Sequence, residues 1–328
     1  MPCNVKPSLL HLPFPLPWRD LLGPPQVGTG KLGIAVSSSS QPHRGVFLRR
    51  AGITLTFQQE NLSDALGGVI WECGRALIHV LDALWGHGHK RCLVPQKGCN
   101  GGRPPVRLLE LGSGTGVVGI AAAVLMTILL RRCPAQDRCR CGTARPQRGP
   151  GVEATLTDIP ALLPLARKNV GIACQQLVCT TEGPPPLHAV KPRGGCTPRP
   201  FGDCHQGRLH PGVPFDGAMG ANTATLPTFK VRPLFWGKDN TTTQMDCTNG
   251  HWDIVVCSDC LYDANAYPKL VGTLRRVTNP GTMVMFACKR RDLGCEWVFW
   301  KTLQNHGFGI CGRTGPIGNT FVLVGMLL

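Results

Sequence analysis

A glycine-rich turn between two apolar runs is the part of this sequence best suited to bind a small molecule. Residues 106–111 (VRLLEL) have the composition of a buried strand, and Gly112-Ser113-Gly114-Thr115-Gly116 leads from them into a second apolar run. Glycine has no Cβ and tolerates positive φ, so a ligand can approach the main chain closely at a strand-to-helix turn. Gly112, Ser113 and Gly114 are therefore predicted to bind a cofactor, the alternative being a tight turn without a ligand. Val117 stands where a dinucleotide fingerprint needs its third glycine, which disfavours a Rossmann-type dehydrogenase.

Asp158 closes a second strand-like segment, residues 153–157 (EATLT). A carboxylate at the end of such a strand can accept both hydrogen bonds of a ribose diol. The same aspartate could instead cap the helix that is predicted to begin near Pro160, and the two roles are compatible.

Asp259 and Tyr262 follow a third strand-like segment, residues 253–258 (DIVVCS). Ligands of open α/β sheets lie over the carboxyl ends of the strands, so this acid and this phenol are predicted to face the reactive end of the site. Asp259 could orient or charge-stabilise an amine nucleophile. Tyr262 could hydrogen-bond that amine or line the pocket, with ordinary packing as the alternative.

These motifs together resemble those of the class I (seven-β-strand) S-adenosylmethionine-dependent methyltransferases. The run LLELGSGTG is similar to their first motif, and Glu110 within it would help to hold the cationic amino-acid end of the cofactor. The pattern Asp259-x-x-Tyr262, with residues 70–72 (IWE) and 234–237 (LFWG), resembles the protein lysine methyltransferases that carry a DxxY motif. Those enzymes modify non-histone proteins such as chaperones, AAA ATPases and translation factors.

The resemblance also implies residue roles. Trp71 would cover the cofactor, Trp236 would lie beside its adenine, and Ser258 would contact it through the backbone. Burial in the core is the alternative for both tryptophans. The predicted catalytic residues are Asp259 and Tyr262, and the predicted cofactor-binding residues are Trp71, Glu110, Gly112, Ser113, Gly114, Asp158, Trp236 and Ser258.

The implied activity is S-adenosylmethionine-dependent N-methylation of lysine in a protein substrate. A nucleic-acid methyltransferase is one alternative, since 35 Lys+Arg against 19 Asp+Glu leave a net charge of +16. Residues 259–262 (DCLY) lack the prolines of the Asp/Asn-Pro-Pro-aromatic motif found in many enzymes that methylate base amines. A catalytically silent scaffold with the same fold is a further alternative.

Strands and helices must alternate to position these residues. Strands are predicted at 46–57 (one or two), 106–111, 153–157, 229–236, 253–258, 282–288, 307–312 and 320–327, and helices within 66–84, 117–130, 160–170, 266–277 and 293–305. This order predicts an α/β fold of the class I methyltransferase, Rossmann-like type, its sheet mostly parallel with an antiparallel C-terminal β-hairpin.

Composition divides the chain into a tail and one domain. Residues 1–44 form a Pro/Gly/Ser-rich tail, and residues 45–328 form a single methyltransferase domain with insertions at about 131–151 and 174–228. Residues 86–107 hold five Lys+Arg and no acid, and residues 131–150 hold six Arg and one Asp, so these stretches supply 5 + 5 = 10 of the net +16. These basic loops could be solvated insertions or could dock on an acidic surface, and a nucleic-acid partner stays open.

Seventeen cysteines, an odd number, indicate reduced thiols and a cytoplasmic or nuclear protein. No membrane span is predicted, because the uncharged run 111–130 begins with the glycine turn. No metal is expected, although Cys92, Cys99, Cys133, Cys139 and Cys141 with His87 or His89 could converge on zinc. Prolines interrupt the apolar residues of the first 25 positions and oppose a secretory signal, while an organellar presequence stays open.

Overall fold

The computed structural model describes residues 43–49, 51–61, 66–86, 104–132, 151–181, 226–237, 251–289, 293–313 and 320–327. Within these residues nine strands and five α-helices follow one another. They are β1 His43–Leu48, β2 Ile53–Gln58, α1 Glu72–Gly86, β3 Val106–Leu111, α2 Val117–Arg132, β4 Val152–Asp158, α3 Leu163–Thr181, β5 Thr228–Pro233, β6 Ile254–Ser258, α4 Tyr267–Val277, β7 Met283–Lys289, α5 Leu293–Asn305, β8 Phe308–Arg313 and β9 Thr320–Leu327.

Seven of these strands form one sheet in the order β5-β4-β3-β6-β7-β9-β8. The first five in this order are mutually parallel, whereas β9 runs antiparallel to both β7 and β8. The predicted mostly parallel α/β sheet with an antiparallel C-terminal pair is therefore confirmed. The chain builds outward on one side of β3 through β4 and then on the other side through β6. The carboxyl end of β3 is thus a topological switch point, where sheets of this type bind ligands.

The sheet separates two apolar clusters. Leu108 faces the cluster made with α1, α2 and α3, whereas Leu109 and Leu111 face the cluster made with α4 and α5. Successive side chains of a strand point to opposite faces, so a strand covered by helices on both sides is apolar almost throughout. Five of the six residues of β3 are buried, which agrees with its central position.

Helix α2 explains the long uncharged run of the sequence. Every residue from Val117 to Met126 is buried, so this helix is apolar all round because it lies under neighbouring elements. None of the helices in the described segments is long and apolar enough to cross a membrane.

The hairpin β1–β2 lies outside the main sheet and is anchored on α3. Gln176 and Asn169 accept hydrogen bonds from the backbone N–H groups of Thr56 and Gln58 at 2.9 and 2.7 Å. The predicted segment 46–57 is thus two strands.

Several predicted boundaries are wrong. Helix α3 continues to Thr181, past the predicted insertion start at 174, because Ala173 and Leu177 still pack into the core. Helix α2 continues to Arg132, and β1 already begins at His43 within the predicted tail. Strand β5 ends at Pro233, so the predicted strand 229–236 is too long. Residues 1–42, 133–150 and 182–225, and all seven candidate zinc ligands, lie outside the described residues.

Candidate active site

The glycine turn at the end of β3 leaves no room for a side chain at its centre. Gly114 has a φ of 52°, a conformation that other residues adopt only with strain. A Cβ at Gly114 would lie 2.6 Å from the carbonyl oxygen of Gly67. Gly67 belongs to a short 3-10 turn, Leu66–Gly68, which therefore packs directly on the glycine turn. Gly67 and Gly114 approach each other this closely only because neither position carries a side chain.

Trp71 lies between this 3-10 turn and the start of α1. Its indole Nε1–H donates a hydrogen bond to the carbonyl oxygen of Leu66 at 2.9 Å, and 44% of the residue is exposed. The alternative of burial in the core is therefore wrong for Trp71. An exposed indole held beside the glycine turn agrees with the predicted position over a cofactor.

Asp158, the last residue of β4, is bonded to the glycine turn. One carboxylate oxygen accepts from the backbone N–H of Gly114 and the other from that of Ile159, both at 2.7 Å. Ile159 is the N-cap of the following 3-10 turn, so Asp158 does not cap that turn in the ordinary way. Burial raises the pKa of Asp158, while its two backbone donors lower it. The carboxylate is half-buried and keeps lone pairs for further hydrogen bonds.

Glu110 is buried beneath α2, with 1% of its surface exposed. Its Oε2 accepts from the backbone N–H of Gly119 at 2.9 Å, in the first turn of α2. Burial raises the pKa of Glu110 from 4.5 to about 8, the Gly119 bond lowers it, and the charge of Asp158 raises it further. In this structure Glu110 joins β3 to α2, and its contact with the amino-acid end of a cofactor stays a prediction.

Trp236 lies against the other end of the glycine turn. It follows β5 by three residues, and its Cζ2 lies 3.1 Å from the position that a Cβ on Gly112 would take. The indole is half-buried, so it packs on the core shared with α4 and α5 and also contacts the turn. Trp236 thus contacts the Gly112 end of the turn, whereas Trp71 is bonded to the 3-10 turn that packs on Gly114.

Two serines were predicted to contact the cofactor, Ser113 within the turn and Ser258 through its backbone. The Ser113 hydroxyl is buried and finds no hydrogen-bond partner among the described residues, whereas its backbone N–H donates to the Thr157 carbonyl at 2.9 Å. Buried hydroxyls are normally paired, so an orphan at a predicted cofactor site is where a ligand would supply the partner. Ser258 ends β6, and its Oγ lies 3.5 Å from the position of a Cβ on Gly74 of α1.

Asp259 occupies a strained conformation directly after β6. It is the one non-glycine residue of the described segments with a positive φ, at 56°. Its N–H donates to the Ala287 carbonyl of β7 at 2.8 Å, and 9% of the residue is exposed. Strained residues cluster at functional sites, because the surrounding structure has to hold them in place.

Tyr262 projects from the same segment, with 57% of its surface exposed. Its pKa is raised, chiefly by burial and then by the charges of Cys260, Asp158, Asp263 and Asp259. The phenol therefore keeps its proton at neutral pH. The carboxylates of Asp158, Asp259 and Asp263 are close enough to act on this phenol.

Cys260 joins the Asp259–Tyr262 segment to the glycine turn. Its Sγ lies 3.2 Å from the position of a Cβ on Gly112 and donates to the Leu111 carbonyl at 3.4 Å. Cys257 and Cys260 are free thiols, and the described residues contain no group of three or more side chains suited to a metal. Both thiols are buried in the core shared with α4 and α5.

The structure brings together most of what was predicted. Asp158 and Trp236 contact the turn that holds Gly112 and Gly114, and Trp71 is bonded to the 3-10 turn packed on it. Asp259 and Tyr262 follow the neighbouring strand. Gly67 and Cys260 were missed as contacts of this turn. The Gly67-Gly68 pair ahead of Trp71 was the available signal for the first of them.

Comparison with known proteins agrees with this geometry. A sequence profile described as "Lysine methyltransferase" matches residues 49–181 and 218–306, which include every predicted site residue. The chain belongs to the lysine methyltransferase family. Membership of this family supports S-adenosylmethionine as the cofactor and confirms the predicted class I fold.

Individual relatives are more distant. EEF1A lysine methyltransferase 3 from Mus musculus is 24% identical over 201 residues, which are 61% of this chain and 53% of that protein. The match thus spans about half of the relative's length. Solved structures that resemble the chain include magnesium protoporphyrin IX methyltransferase from Synechocystis PCC 6803 (14% identity, TM-score 0.35, 77% of this chain and 78% of that one). Another is fibrillarin from Aeropyrum pernix (9% identity, TM-score 0.36, 68% and 67%).

Proposed function

We propose that this protein transfers the methyl group of S-adenosylmethionine to a lysine side chain of a protein substrate. One observation carries the proposal. Asp158 ends β4 and Asp259 follows β6, the two strands that flank β3, so the acids lie on either side of the glycine turn at one sheet edge. The first acid is bonded to the turn, whereas the second begins the segment that bears the exposed phenol. This separates a cofactor side from an acceptor side.

On the cofactor side the residues present fit S-adenosylmethionine. Asp158 would bind the ribose hydroxyls, Trp71 would cover the cofactor, and Trp236 would lie beside the adenine. The orphaned Ser113 hydroxyl and the bare backbone at Gly112 and Gly114 accommodate close approach. Glu110 and the backbone of Ser258 act toward the amino-acid end. When bound, the cofactor supplies a methyl group activated by the positive charge of its sulfonium.

On the acceptor side the carboxylates and Tyr262 receive the lysine. Lysine is mostly protonated at neutral pH, since its ordinary pKa is about 10.4. The carboxylates near Tyr262 attract the ammonium. The proton leaves to water before the lone pair can attack the methyl group. Tyr262 keeps its own proton, so its oxygen accepts an N–H of the amine instead of removing a proton. Asp259 orients the amine toward the cofactor.

A translation factor is the first substrate to test, because the mouse relative is named for EEF1A. A chaperone or an AAA ATPase comes next, from the resemblance of the DxxY motif. The basic segments around residues 86–107 and 131–150 would dock on an acidic face of that substrate. We place the protein in the cytoplasm or nucleus, in keeping with the free thiols at Cys73, Cys174, Cys257, Cys260 and Cys288.

Incubation with methyl-labelled S-adenosylmethionine and a cell extract tests this proposal. Purified EEF1A is added in a parallel reaction, the Asp158→Ala variant is the control, and one arm is treated with nuclease. We expect label in protein that survives nuclease and yields methyl-lysine on acid hydrolysis. Label lost with nuclease would indicate a nucleic-acid substrate, and methyl-histidine or methyl-arginine would contradict the choice of lysine. Cofactor binding without transfer to any acceptor would favour a silent scaffold.

A further inference from the structure

Trp236 lies in a short turn, residues 234–237, that is held at its start by β4. The backbone N–H of Leu234 donates to the Asp158 carbonyl at 3.0 Å, and the Leu234 side chain is buried in the core shared with α4. The turn therefore leaves the sheet beside the acid predicted to bind ribose. These two contacts fix the position of the chain as far as Leu234. The Trp236 indole, two residues later, has to be held by a further contact.

That support is Thr273 on α4. The backbone N–H of Gly237 donates to Thr273 Oγ1 at 3.1 Å, and the same hydroxyl donates to the Lys269 carbonyl at 2.9 Å. Thr273 is fully buried. A hydroxyl has one proton to donate and lone pairs to accept with. Because the Lys269 carbonyl uses that proton, the lone pairs of Thr273 Oγ1 accept from Gly237 and, at 3.5 Å, from Arg276 Nη2.

Gly237 is pressed against α4 at this contact. Its φ is 75°, and a Cβ there would lie 2.7 Å from Lys269 Cγ and 3.1 Å from Lys269 Cα. Movement of the Lys269 side chain would not relieve the clash with the Lys269 backbone. The turn is thus fastened at both ends, by Asp158 before Trp236 and by Thr273 after it. Between these points the indole lies against Gly112.

We propose that Thr273 is a positioning residue that, through Gly237, holds the Trp236 indole against the glycine turn and thereby determines affinity for the adenosine end of the cofactor. The inference rests on the proposed function. Thr273 lies on α4 and touches neither cofactor nor acceptor, so it acts on binding and leaves the transfer step alone. A purely structural role would lower stability without acting through Trp236.

The test compares Thr273→Val with Thr273→Ser by calorimetry with S-adenosylmethionine and by steady-state methylation. Valine keeps the shape and removes the hydroxyl, whose hydrogen bond is typically worth about 1 kcal/mol, or about fivefold in binding. We expect Kd and KM for the cofactor to rise about three- to tenfold in Thr273→Val, with kcat changed by less than about twofold. Thr273→Ser should restore affinity to within about twofold.

Two matched controls exist in the chain. Thr302 on α5 makes the same bond to the carbonyl four residues earlier, Val298, at 2.8 Å. Thr302→Val should leave the cofactor KM unchanged. Gly272 precedes Thr273 on α4 and has open space around its Cβ position, so Gly272→Ala should do the same.

A double-mutant cycle with Trp236→Ala tests whether the loss of cofactor affinity in Thr273→Val acts through Trp236. If Thr273 acts through Trp236, Thr273→Val should weaken binding little further in the Trp236→Ala background. Fully additive losses would overturn the inference, as would unchanged affinity in Thr273→Val or failure of Thr273→Ser to restore it.

If Thr273→Val does not fold, Gly237→Ala in the turn 234–237 is measured in its place and should lose at least as much affinity. Wild-type protein that does not bind S-adenosylmethionine would remove the proposed function as well, whereas normal wild-type binding with an indifferent Thr273→Val removes this inference alone.

Discussion

The two halves of the site are held in different ways at the same sheet edge. On the cofactor side the glycine turn is bonded to Asp158, covered by Gly67 and contacted by Trp236, so its geometry exists before a ligand arrives. On the acceptor side Asp259 is fixed by its backbone, while Tyr262 projects from it with 57% of its surface exposed. A preformed site suits a ligand that never varies, and an open one suits a side chain delivered by another protein.

This difference predicts two classes of variant. Changes on the cofactor side should weaken binding of S-adenosylmethionine, and transfer should fail as a consequence. Changes on the acceptor side should leave cofactor binding intact and lower kcat. A cofactor-side variant that binds S-adenosylmethionine normally, or an acceptor-side variant that loses this binding, would contradict the comparison between the two sides.

The largest effect is expected for Gly114→Ala. The positive φ costs a residue with a side chain about 1–2 kcal/mol, and the new Cβ would overlap the Gly67 carbonyl. The turn must then move away from Asp158, so calorimetry should show cofactor affinity reduced by about a hundredfold, or about 2.7 kcal/mol. Gly171→Ala on α3 is the control, since no atom lies within 4 Å of its Cβ position. Equal affinity in both variants would show that the turn is not the binding surface.

A smaller effect, confined to transfer, is expected for Tyr262→Phe. Loss of the phenol removes an acceptor for the amine, so kcat should fall by about tenfold or more while cofactor Kd stays unchanged. The other tyrosine of the chain, Tyr267, is the control. It is buried and donates to the Leu261 carbonyl at 3.2 Å. Tyr267→Phe should lower the free energy of unfolding by about 1 kcal/mol and leave kcat nearly unchanged. A drop in kcat of similar size in both would assign Tyr262 a packing role.

The last prediction concerns stability and not activity: Glu110 should make the free energy of unfolding depend on pH. Its pKa is about 8 in the folded protein against an ordinary 4.5, so between these values the folded state binds one more proton than the unfolded state. The free energy of unfolding should therefore decrease by roughly 1.4 kcal/mol per pH unit as pH rises from about 5 toward 8. Glu110→Gln should flatten this slope in urea unfolding at pH 6, 7 and 8. Glu153→Gln, at a half-buried glutamate of β4, is the control variant. A slope that persists in Glu110→Gln would show that another group binds the proton.

The sequence predicted what depends on short stretches of chain. The glycine turn, Asp158 and the Asp259–Tyr262 pair each follow an apolar run, and an alternation of strands and helices is enough to bring them to one edge. The C-terminal pair β8 and β9 was predicted as antiparallel because no helical stretch separates the two strands.

The sequence did not predict the long-range contacts or the ends of some helices and strands. Gly67 and Gly114 are 47 positions apart, and Gly237 and Thr273 are 36 positions apart, so nothing local connects them. The predicted helix ended at 170, although the run of prolines begins only at 184, after the true end of α3 at Thr181.

Calorimetry and single-turnover transfer on the pair Asp158→Ala and Asp259→Ala test the separation of the two sides most directly. Asp158→Ala is predicted to lose S-adenosylmethionine binding by at least about tenfold, because the carboxylate and its charged hydrogen bonds are gone. Asp259→Ala is predicted to bind the cofactor within about threefold of the wild-type protein and to transfer methyl groups at least about tenfold more slowly. Equal losses of cofactor binding in both variants, or unimpaired transfer by Asp259→Ala, would contradict the account.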